Sequence, residues 1–389
     1  MSDQQTETQT SSNNKSQQRK KGLSIFILLL LLISIGSAAY WYLFIKGFEE
    51  TEDAYVSGNQ VMVSAQVAGN IAKINVDNMD PVQAGDVLVE LDDTNAKLSF
   101  EQAKSNLANA VRQVSQLNYT VKQLKSAVRA NEITLAQAQG NLNRRVQLVK
   151  DGAIDKESFQ HAKEAVELAK ANLTTSQNQL GANQALLLDG PLSEQPQIQS
   201  AVSNLKQAWL NLERTKIRSP IKGYVARRNA QVGQAVSVGG ALMAVVTTDQ
   251  MWLDANFKET QLTHMRIGQP AEIHFDLYGK DKTFNGKVVG IEMGTGSAFS
   301  LLPAQNATGN WIKVVQRVPV RIQLDPQQLA ENPLRIGLSA TVKVNVSDSK
   351  GETLRDQAPA TTLYSTNVLQ YDESAVNNLI ESIIRDNSY

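Results

Sequence analysis

The longest apolar run of the chain lies near its N-terminus, where Leu23–Ile45 contains no charged residue. As an α-helix this run is about 34 Å long, and a hydrocarbon core is about 30 Å thick. We therefore predict a transmembrane anchor over residues 22–46. A basic cluster ends at Lys21, immediately before the run. The positive-inside rule then places residues 1–21 in the cytoplasm, as a polar disordered tail, and the rest of the chain in the periplasm of an inner-membrane protein.

A cleaved signal peptide is the alternative to an anchor. The small residues Gly36–Ala39 resemble a cleavage site. However, the apolar run continues through Tyr40 to Ile45, which makes it longer than the core of a typical signal peptide. The pattern favours an uncleaved, single-pass anchor.

Two short segments beyond the anchor, 61–92 and 217–248, repeat one pattern. Gly69 matches Gly223 and Gly85 matches Gly239, at a constant offset of 154 residues. Each segment alternates apolar residues between turn glycines, as short half-buried strands do. Neither is long enough to bury a core alone, so we expect the two to pack together as one small β-sandwich.

This arrangement resembles a biotinyl or lipoyl carrier domain that is cut into two halves. A carrier needs a lysine at its hairpin tip, because the swinging arm is attached to an amine. The expected tips, 77–80 and 230–232, contain no lysine, and Lys73 lies in a strand-like context. The module is therefore predicted to be structural.

The segment between the two halves, 93–216, carries the strongest periodicity in the chain. From Ala96 to Val149, apolar or small residues recur in steps of four and three, the pattern of a coiled-coil seam. The helix is broken at Asp151-Gly152, and a second helix repeats the steps. Two helices joined by a short turn are antiparallel, so we predict a helical hairpin about 80 Å long with its tip at 150–156.

The last large segment, 249–346, alternates apolar and polar residues in several short stretches. In Val318–Leu324, for example, every second residue is apolar. A small antiparallel β-barrel is predicted, with its first strand in a linker region at 47–60. Residues 347–389 are expected to form a polar tail with one weakly amphipathic helix, to which no function is assigned. The predicted fold class is an elongated multidomain α+β protein: transmembrane helix, split lipoyl-like β-sandwich, coiled-coil hairpin and β-barrel.

Composition excludes several kinds of chemistry. The formal net charge is zero, which argues against a nucleic-acid-binding protein, and the chain has no cysteine for disulfides or thiolate catalysis. The histidines at 161, 264 and 274 lie in different segments, and those at 264 and 274 have no flanking carboxylates at metal-ligand spacing. No catalytic residue, cofactor or metal site is predicted, and the chain is not expected to be an enzyme.

The order of these segments resembles the HlyD family of periplasmic membrane-fusion adaptors, over roughly residues 50–346. Two stretches, 252–262 and 292–313, are similar to the EmrA-type adaptors of multidrug efflux. The resemblance implies an inner-membrane, proton-driven major-facilitator drug pump and a TolC-like outer-membrane channel as partners. It also implies a homo-oligomer, either a trimer or a hexamer. An adaptor of type I protein secretion, which works with an ATP-binding-cassette pump, shares the architecture and is the alternative.

The resemblance also implies where partners bind. Related adaptors carry an Arg-x3-Leu-x6-Ser pattern at the hairpin tip for docking the outer channel. Arg144 and Leu148 match this pattern, and Asp155 stands where the serine would be. A second site, for contact with the pump or with another adaptor protomer, is predicted in the long loop Gly290–Lys313. Its candidate residues are Phe299, Leu301, Leu302 and Trp311.

Overall fold

The computed structural model describes residues 23, 26–37, 47–279, 281–296, 298, 315–355, 357 and 362–388. The chain divides into two compact units. The barrel unit comprises Met1–Val61, Lys222–Tyr224 and Val246–Ser365. The hairpin unit comprises Met62–Ile221, Val225–Val245 and Thr366–Tyr389.

The predicted anchor, 22–46, and the tail before it fall mostly outside the described residues. Within the anchor, residues 26–37 are helical, and their apolar side chains are exposed. No helix in the described part of the chain is both long and apolar enough to cross a membrane.

The β-strands follow the alternating segments of the sequence. They are β1 (Phe48–Ser64), β2 (Gly69–Ile74), β3 (Pro81–Val82), β4 (Val87–Leu91), β5 (Lys216–Arg218), β6 (Gly223–Arg228), β7 (Ala235–Val236), β8 (Ala241–Lys258), β9 (Pro270–Phe275), β10 (Phe284–Ile291), β11 (Arg317–Leu324) and β12 (Ser339–Asn345).

Six of these strands form the barrel. They pair in the order β1-β12-β9-β10-β11-β8, and a pairing between β1 and β8 closes the ring. Every second residue points inward, as the alternation predicts: on β11, Val320 and Ile322 are fully buried and Arg321 between them is exposed. Phe275 and Phe284 meet edge to face in the interior, with ring centroids 4.9 Å apart. The predicted small antiparallel barrel is confirmed.

The two repeated segments form one β-sandwich in the hairpin unit. One of its sheets has the order β5-β4-β2-β7, so strands of the first segment pair directly with strands of the second. The two segments also share one hydrophobic core. Its buried residues are Val63, Ala65, Ile71, Val82, Leu88, Val89, Leu91, Ile217, Val225, Ala230, Leu242, Met243 and Val245.

The segments exchange equivalent hydrogen bonds. The Gly85 N–H donates to the Ser219 carbonyl at 2.8 Å, and the Gly239 N–H donates to the Ala65 carbonyl at 2.8 Å. Each donor and each acceptor is related to its counterpart by the offset of 154 residues. Gly85 has a φ of 95° and Gly239 a φ of 82°, a left-handed conformation that glycine adopts without strain. The sequence repeat is therefore a structural repeat.

The hairpin consists of three α-helices. They are α1 (Thr94–Lys150), α2 (Lys156–Gln184) and α3 (Pro196–Glu213), and α3 continues α2 after a break. Seam positions such as Leu107, Val114 and Val121 are buried, which confirms the coiled-coil prediction. One polar pair interrupts the apolar seam, where the Asn131 side chain donates to the Ser176 hydroxyl at 2.6 Å. Such a pair fixes the register of two helices, because only one alignment satisfies both groups.

The C-terminal region differs from the expected polar tail. The helix α5 (Ser374–Asn387), which follows the short α4 (Pro326–Glu331), packs on the base of the hairpin. Its Val376 and Ile380 are buried in one core with residues of α1 and α3. Its apolar face is therefore well defined, whereas the sequence suggested only weak amphipathicity.

The packing of α5 on α1 also explains why one residue is buried that the heptad pattern does not predict to be buried. Val111 is fully buried although it lies outside the predicted seam. A heptad describes the contact of two helices, and α5 adds a second contact face to α1. The hairpin base is a three-helix cluster.

Candidate partner-docking site at the hairpin tip

The tip begins where α1 ends in a Schellman motif. The Ala153 N–H donates to the Leu148 carbonyl at 2.8 Å, and the Gly152 N–H donates to the Val149 carbonyl at 3.2 Å. Gly152 has a φ of 65°, the left-handed conformation that this motif requires. These two bonds satisfy carbonyls that the helix end would otherwise leave unpaired. The break predicted at Asp151-Gly152 is therefore a defined, hydrogen-bonded turn.

The next helix starts with an N-cap at Asp155. Its carboxylate accepts a hydrogen bond from the Ser158 N–H at 2.9 Å, and its backbone is extended, as an N-cap requires. The hydrogen bonds from Ser158 hold the pKa of the Asp155 carboxyl below its usual value of 3.8. Aspartate thus performs the capping that the serine of the family pattern can perform, and adds a negative charge at the positive end of α2.

One hydrogen bond crosses between the two helices near the tip. The Arg145 guanidinium donates to the Ser158 carbonyl at 2.9 Å. Arg145 on α1 therefore reaches the opposite helix. The first turn of α2 is therefore held from two sides, by Asp155 within the helix and by Arg145 from α1.

Arg144 and Leu148 lie on the exposed part of α1. Being four residues apart, they share one helix face. The Arg144 guanidinium donates to the side chain of Asn141, one turn earlier on α1. Leu148 has 42% of its surface exposed. Its carbonyl accepts the hydrogen bond from the Ala153 N–H in the turn. The tip therefore presents a cation and an apolar side chain on a rigid, capped scaffold, which suits contact with another protein.

Asp155 differs from these two residues because its carboxylate is committed to the cap. A carboxylate that already accepts the Ser158 N–H has less capacity for a partner than a free one. Asp155 therefore shapes the turn, whereas the side chains of Arg144 and Leu148 are exposed on α1.

The second predicted site cannot be placed in the same way. Phe299, Leu301, Leu302 and Trp311 all lie outside the described residues. The ends of their loop are described: the Glu292 N–H donates to the Pro319 carbonyl at 3.0 Å, so the ladder between β10 and β11 extends one residue past β10.

Metal-ligating residues are dispersed in the described segments. No group of three or more His, Asp or Glu side chains there is arranged to hold a metal ion. His161, close to the tip on α2, lies 3.6 Å from Glu157 and 3.7 Å from Glu164. All three side chains are well exposed, as expected for the solvated face of a helix.

Comparison with known families gives two matches to this architecture. The family described as "EMRA, alpha-helical hairpin domain" matches residues 94–215, and the family described as "AAEA-like beta-barrel domain" matches residues 250–345. These ranges contain the hairpin helices and the barrel strands β9–β12 described above.

Whole-chain relatives are more similar still. The chain is 78% identical to the multidrug export protein EmrA of Haemophilus influenzae over 355 residues, which cover 91% of each chain. It is 50% identical to the multidrug export protein EmrA of Escherichia coli (strain K12), also over 91% of each chain. It is 52% identical to the fatty acid resistance protein FarA of Neisseria gonorrhoeae, over 77% of this chain and 76% of the relative. The chain therefore belongs to the EmrA-type branch of the HlyD family of membrane-fusion adaptors.

Proposed function

We propose that this chain is the periplasmic adaptor of a tripartite multidrug efflux system. In this proposal it couples a proton-driven major-facilitator pump in the inner membrane to a TolC-like channel in the outer membrane, as a trimer or hexamer. The observation that carries the proposal is the 78% identity, over 91% of both chains, to a protein named for multidrug export. The adaptor performs no reaction itself; its task is to hold the other two components together.

We assign a role to each segment of the chain within this proposal. The N-terminal apolar segment would fix the adaptor in the inner membrane, with residues 1–21 in the cytoplasm. The hairpin tip would contact the channel, with Arg144 and Leu148 as contact residues and Asp155 as the cap of the turn. Exposure of Leu148 and the rigid capping of both helices support this assignment.

Capture of partners from membranes tests the proposal most directly. The full-length chain with a C-terminal tag is purified from detergent-solubilised membranes of its own host, and the co-purifying proteins are identified by mass spectrometry. We expect a major-facilitator pump and an outer-membrane channel, and loss of drug resistance when the adaptor gene is deleted. Recovery of an ATP-binding-cassette pump with unchanged drug resistance would instead indicate a type I secretion adaptor.

The membrane topology has a separate test. Periplasmic reporter enzymes fused after Phe48 should be active, and the same reporters fused before residue 21 should be inactive. A mature protein that begins near Tyr40, found by N-terminal sequencing, would show that the segment is a cleaved signal peptide.

We also propose that the Gly290–Lys313 loop contacts the pump or a neighbouring protomer. Loops of this length in a compact domain are usually functional or disordered. Replacement of the loop with a Gly-Ser linker should reduce pump capture and export, while circular dichroism shows an intact fold. Full export by that variant would remove Phe299, Leu301, Leu302 and Trp311 from the mechanism.

A further inference from the structure

A cavity of about 530 Å³ opens at the base of the hairpin. Its walls are α3 on one side and residues 369–373, which precede α5, on the other. Volumes of about 300–1,000 Å³ are typical of small-molecule sites. The C-terminal region therefore builds one wall of an open cavity in addition to covering the hairpin base.

Arg214 lines this cavity and has no partner. It is the C-cap of α3, where its backbone N–H donates to the Leu210 carbonyl at 3.0 Å. In the described part of the chain, no hydrogen bond or ion pair engages its guanidinium, and its Nε is fully enclosed without an acceptor. A charged donor that is partly buried and unpaired is unfavourable, so an acceptor supplied by a ligand would stabilise it.

The other cation of the cavity is already neutralised. The Lys206 Nζ lies 2.8 Å from a Glu373 carboxylate oxygen, and this pair forms part of the lining. Among the lining residues, Arg214 thus carries the one positive charge without a counter-ion. A single unbalanced charge matches a monoanion, whereas a phosphate dianion would call for further donors.

The remaining walls are mixed, with polar side chains beside an aromatic and aliphatic patch. Trp209 and Tyr371 meet edge to face, with ring centroids 6.3 Å apart and an angle of 81° between the rings. Leu210 lies beside them in the lining. A ligand that satisfies Arg214 here also contacts aromatic and aliphatic surface, which favours an organic body attached to the anion.

We propose that this cavity binds a small amphiphilic carboxylate, whose carboxylate pairs with Arg214 and whose apolar body packs against Trp209 and Tyr371. A guanidinium forms two parallel hydrogen bonds with a carboxylate, and among the nitrogens of Arg214 only Nε is both buried and without an acceptor. This inference goes beyond the proposed function. It is tested on the chain alone, so its failure leaves the assignment of pump and channel untouched.

The test is a calorimetric titration of the purified full-length chain in detergent with 2-naphthoate. The neutral isostere 2-naphthalenemethanol, at the same detergent concentration, reports partition into micelles. We expect saturable binding of naphthoate, and at least about tenfold weaker binding of the alcohol, because a charge-assisted hydrogen bond is lost.

Variants locate the site. Arg214→Gln should weaken naphthoate binding by about 10- to 100-fold, since it removes the charge and the planar fork. Arg129→Gln, which removes an exposed charge from α1, is the matched control and should bind as the unsubstituted chain does. Tyr371→Leu should weaken binding in its own right, and it serves as the second variant if Arg214→Gln does not fold.

Three results would overturn the proposal. They are equal affinity of the unsubstituted chain and the Arg214→Gln variant, equal affinity for the acid and the alcohol, and no saturable binding up to about 10 mM. Binding of a glutamate-rich peptide in place of naphthoate would also overturn it, and would identify the cavity as a contact for an acidic protein segment.

Discussion

Arg144 and Leu148 place one cationic and one apolar side chain on the same exposed face of the hairpin tip. We expect Arg144→Asp to impair drug export strongly, because in the proposed docking it would replace attraction to carboxylates and carbonyls of the channel with repulsion. Leu148→Ser should act in the same direction but more weakly, since it removes apolar area without adding repulsion. The measurements are drug susceptibility of complemented deletion strains and site-specific cross-linking to the outer channel.

The matched control for this prediction is Arg129→Asp. Arg129 is also exposed on α1, but it lies four turns from Arg144, so its replacement should leave export unchanged. If a chain that carries both Arg144→Asp and Leu148→Ser still cross-links to the channel and still confers resistance, the tip is not the docking site.

The cap at Asp155 predicts a pH dependence of the tip. Its folded-state pKa is lowered below 3.8, so its contribution to stability is present above that value and is lost as the pH falls through the lower, folded-state pKa. At about pH 6 the amide of Ser158 should exchange faster in Asp155→Ala than in the unsubstituted chain. This difference should shrink at more acidic pH, where the unsubstituted chain also loses its carboxylate charge. A difference that stays constant with pH would assign the cap to something other than this carboxylate.

The glycines of the β-sandwich predict a change in stability. Gly239 has a φ of 82° and no atom within 4 Å of where a Cβ would lie, so Gly239→Ala introduces backbone strain without a clash. We expect a loss of about 1–2 kcal/mol in the free energy of unfolding, measured by urea denaturation.

The control for this change is Gly181→Ala, which lies in the exposed last turn of α2. Here alanine fits the helical backbone better than glycine, so this variant should be unchanged or gain up to about 1 kcal/mol. A neutral Gly239→Ala would mean that the turn relaxes to a conformation that alanine can adopt.

Met79 shows that one position of the repeat holds a residue other than glycine in the left-handed backbone conformation. Its N–H donates to the Val225 carbonyl at 2.8 Å, and the Gly233 N–H donates to the Ile71 carbonyl at 2.8 Å. The two donors are again 154 residues apart, and Met79 has a φ of 73° where Gly233 has 83°. The backbone geometry is thus set by the position in the repeat, even where the residue is not glycine.

At the scale of secondary-structure elements, the packing of α5 on the hairpin base can be tested by a single substitution. Ile380 is buried against the hairpin base, so Ile380→Asp should release the helix rather than bury a charge. With Val376, the lost burial corresponds to about 3–6 kcal/mol as an upper estimate. Limited proteolysis should then cut the chain after residue 365, where the unsubstituted chain is protected.

Asn378→Asp is the control for that experiment, because Asn378 is exposed on the opposite face of the same helix. It adds the same charge without disturbing the apolar contact. Equal protease sensitivity of the two aspartate variants would show that charge, and not the loss of the buried side chain, detaches the helix.

The elements also show what a sequence pattern can and cannot predict. The seam of α1 and the strands of the barrel follow from local periodicity, because each repeat of the pattern is a few residues long. The role of α5 does not, because its partner residues Val111 and Leu107 are more than 260 residues away in sequence. The spacing of Val376, Ile380 and Ile383 on one helix face was the signal, and it identifies an apolar face without identifying what covers it.

The candidate sites likewise divide into those that local sequence predicts and those that depend on residues distant in the chain. The cap at Asp155 and the shared face of Arg144 and Leu148 could be predicted, since both depend on residues three or four positions apart. The cavity beside Arg214 could not, because it exists only when α3 and residues 369–373 come together. Nothing in the sequence around Arg214 marks it as a residue without a partner.

On the scale of the whole molecule, the repeat predicted that the two halves of the sandwich pack together. It did not predict that they exchange equivalent hydrogen bonds, as Gly85 and Gly239 do. That reciprocity means that neither half is complete without the other. The sandwich therefore forms only after the chain has passed through the entire hairpin and returned.

The return point of the hairpin has a consequence for how such adaptors can vary in length. The hairpin leaves the sandwich after β4 and re-enters it at β5, and these strands are neighbours: the Leu91 N–H donates to the Thr215 carbonyl at 2.9 Å. Adding one heptad to each helix at matched positions would extend the arm by about 10 Å and preserve both the seam and this junction. The length of the arm is thus a property that this fold can change in discrete steps of one heptad while its base stays the same.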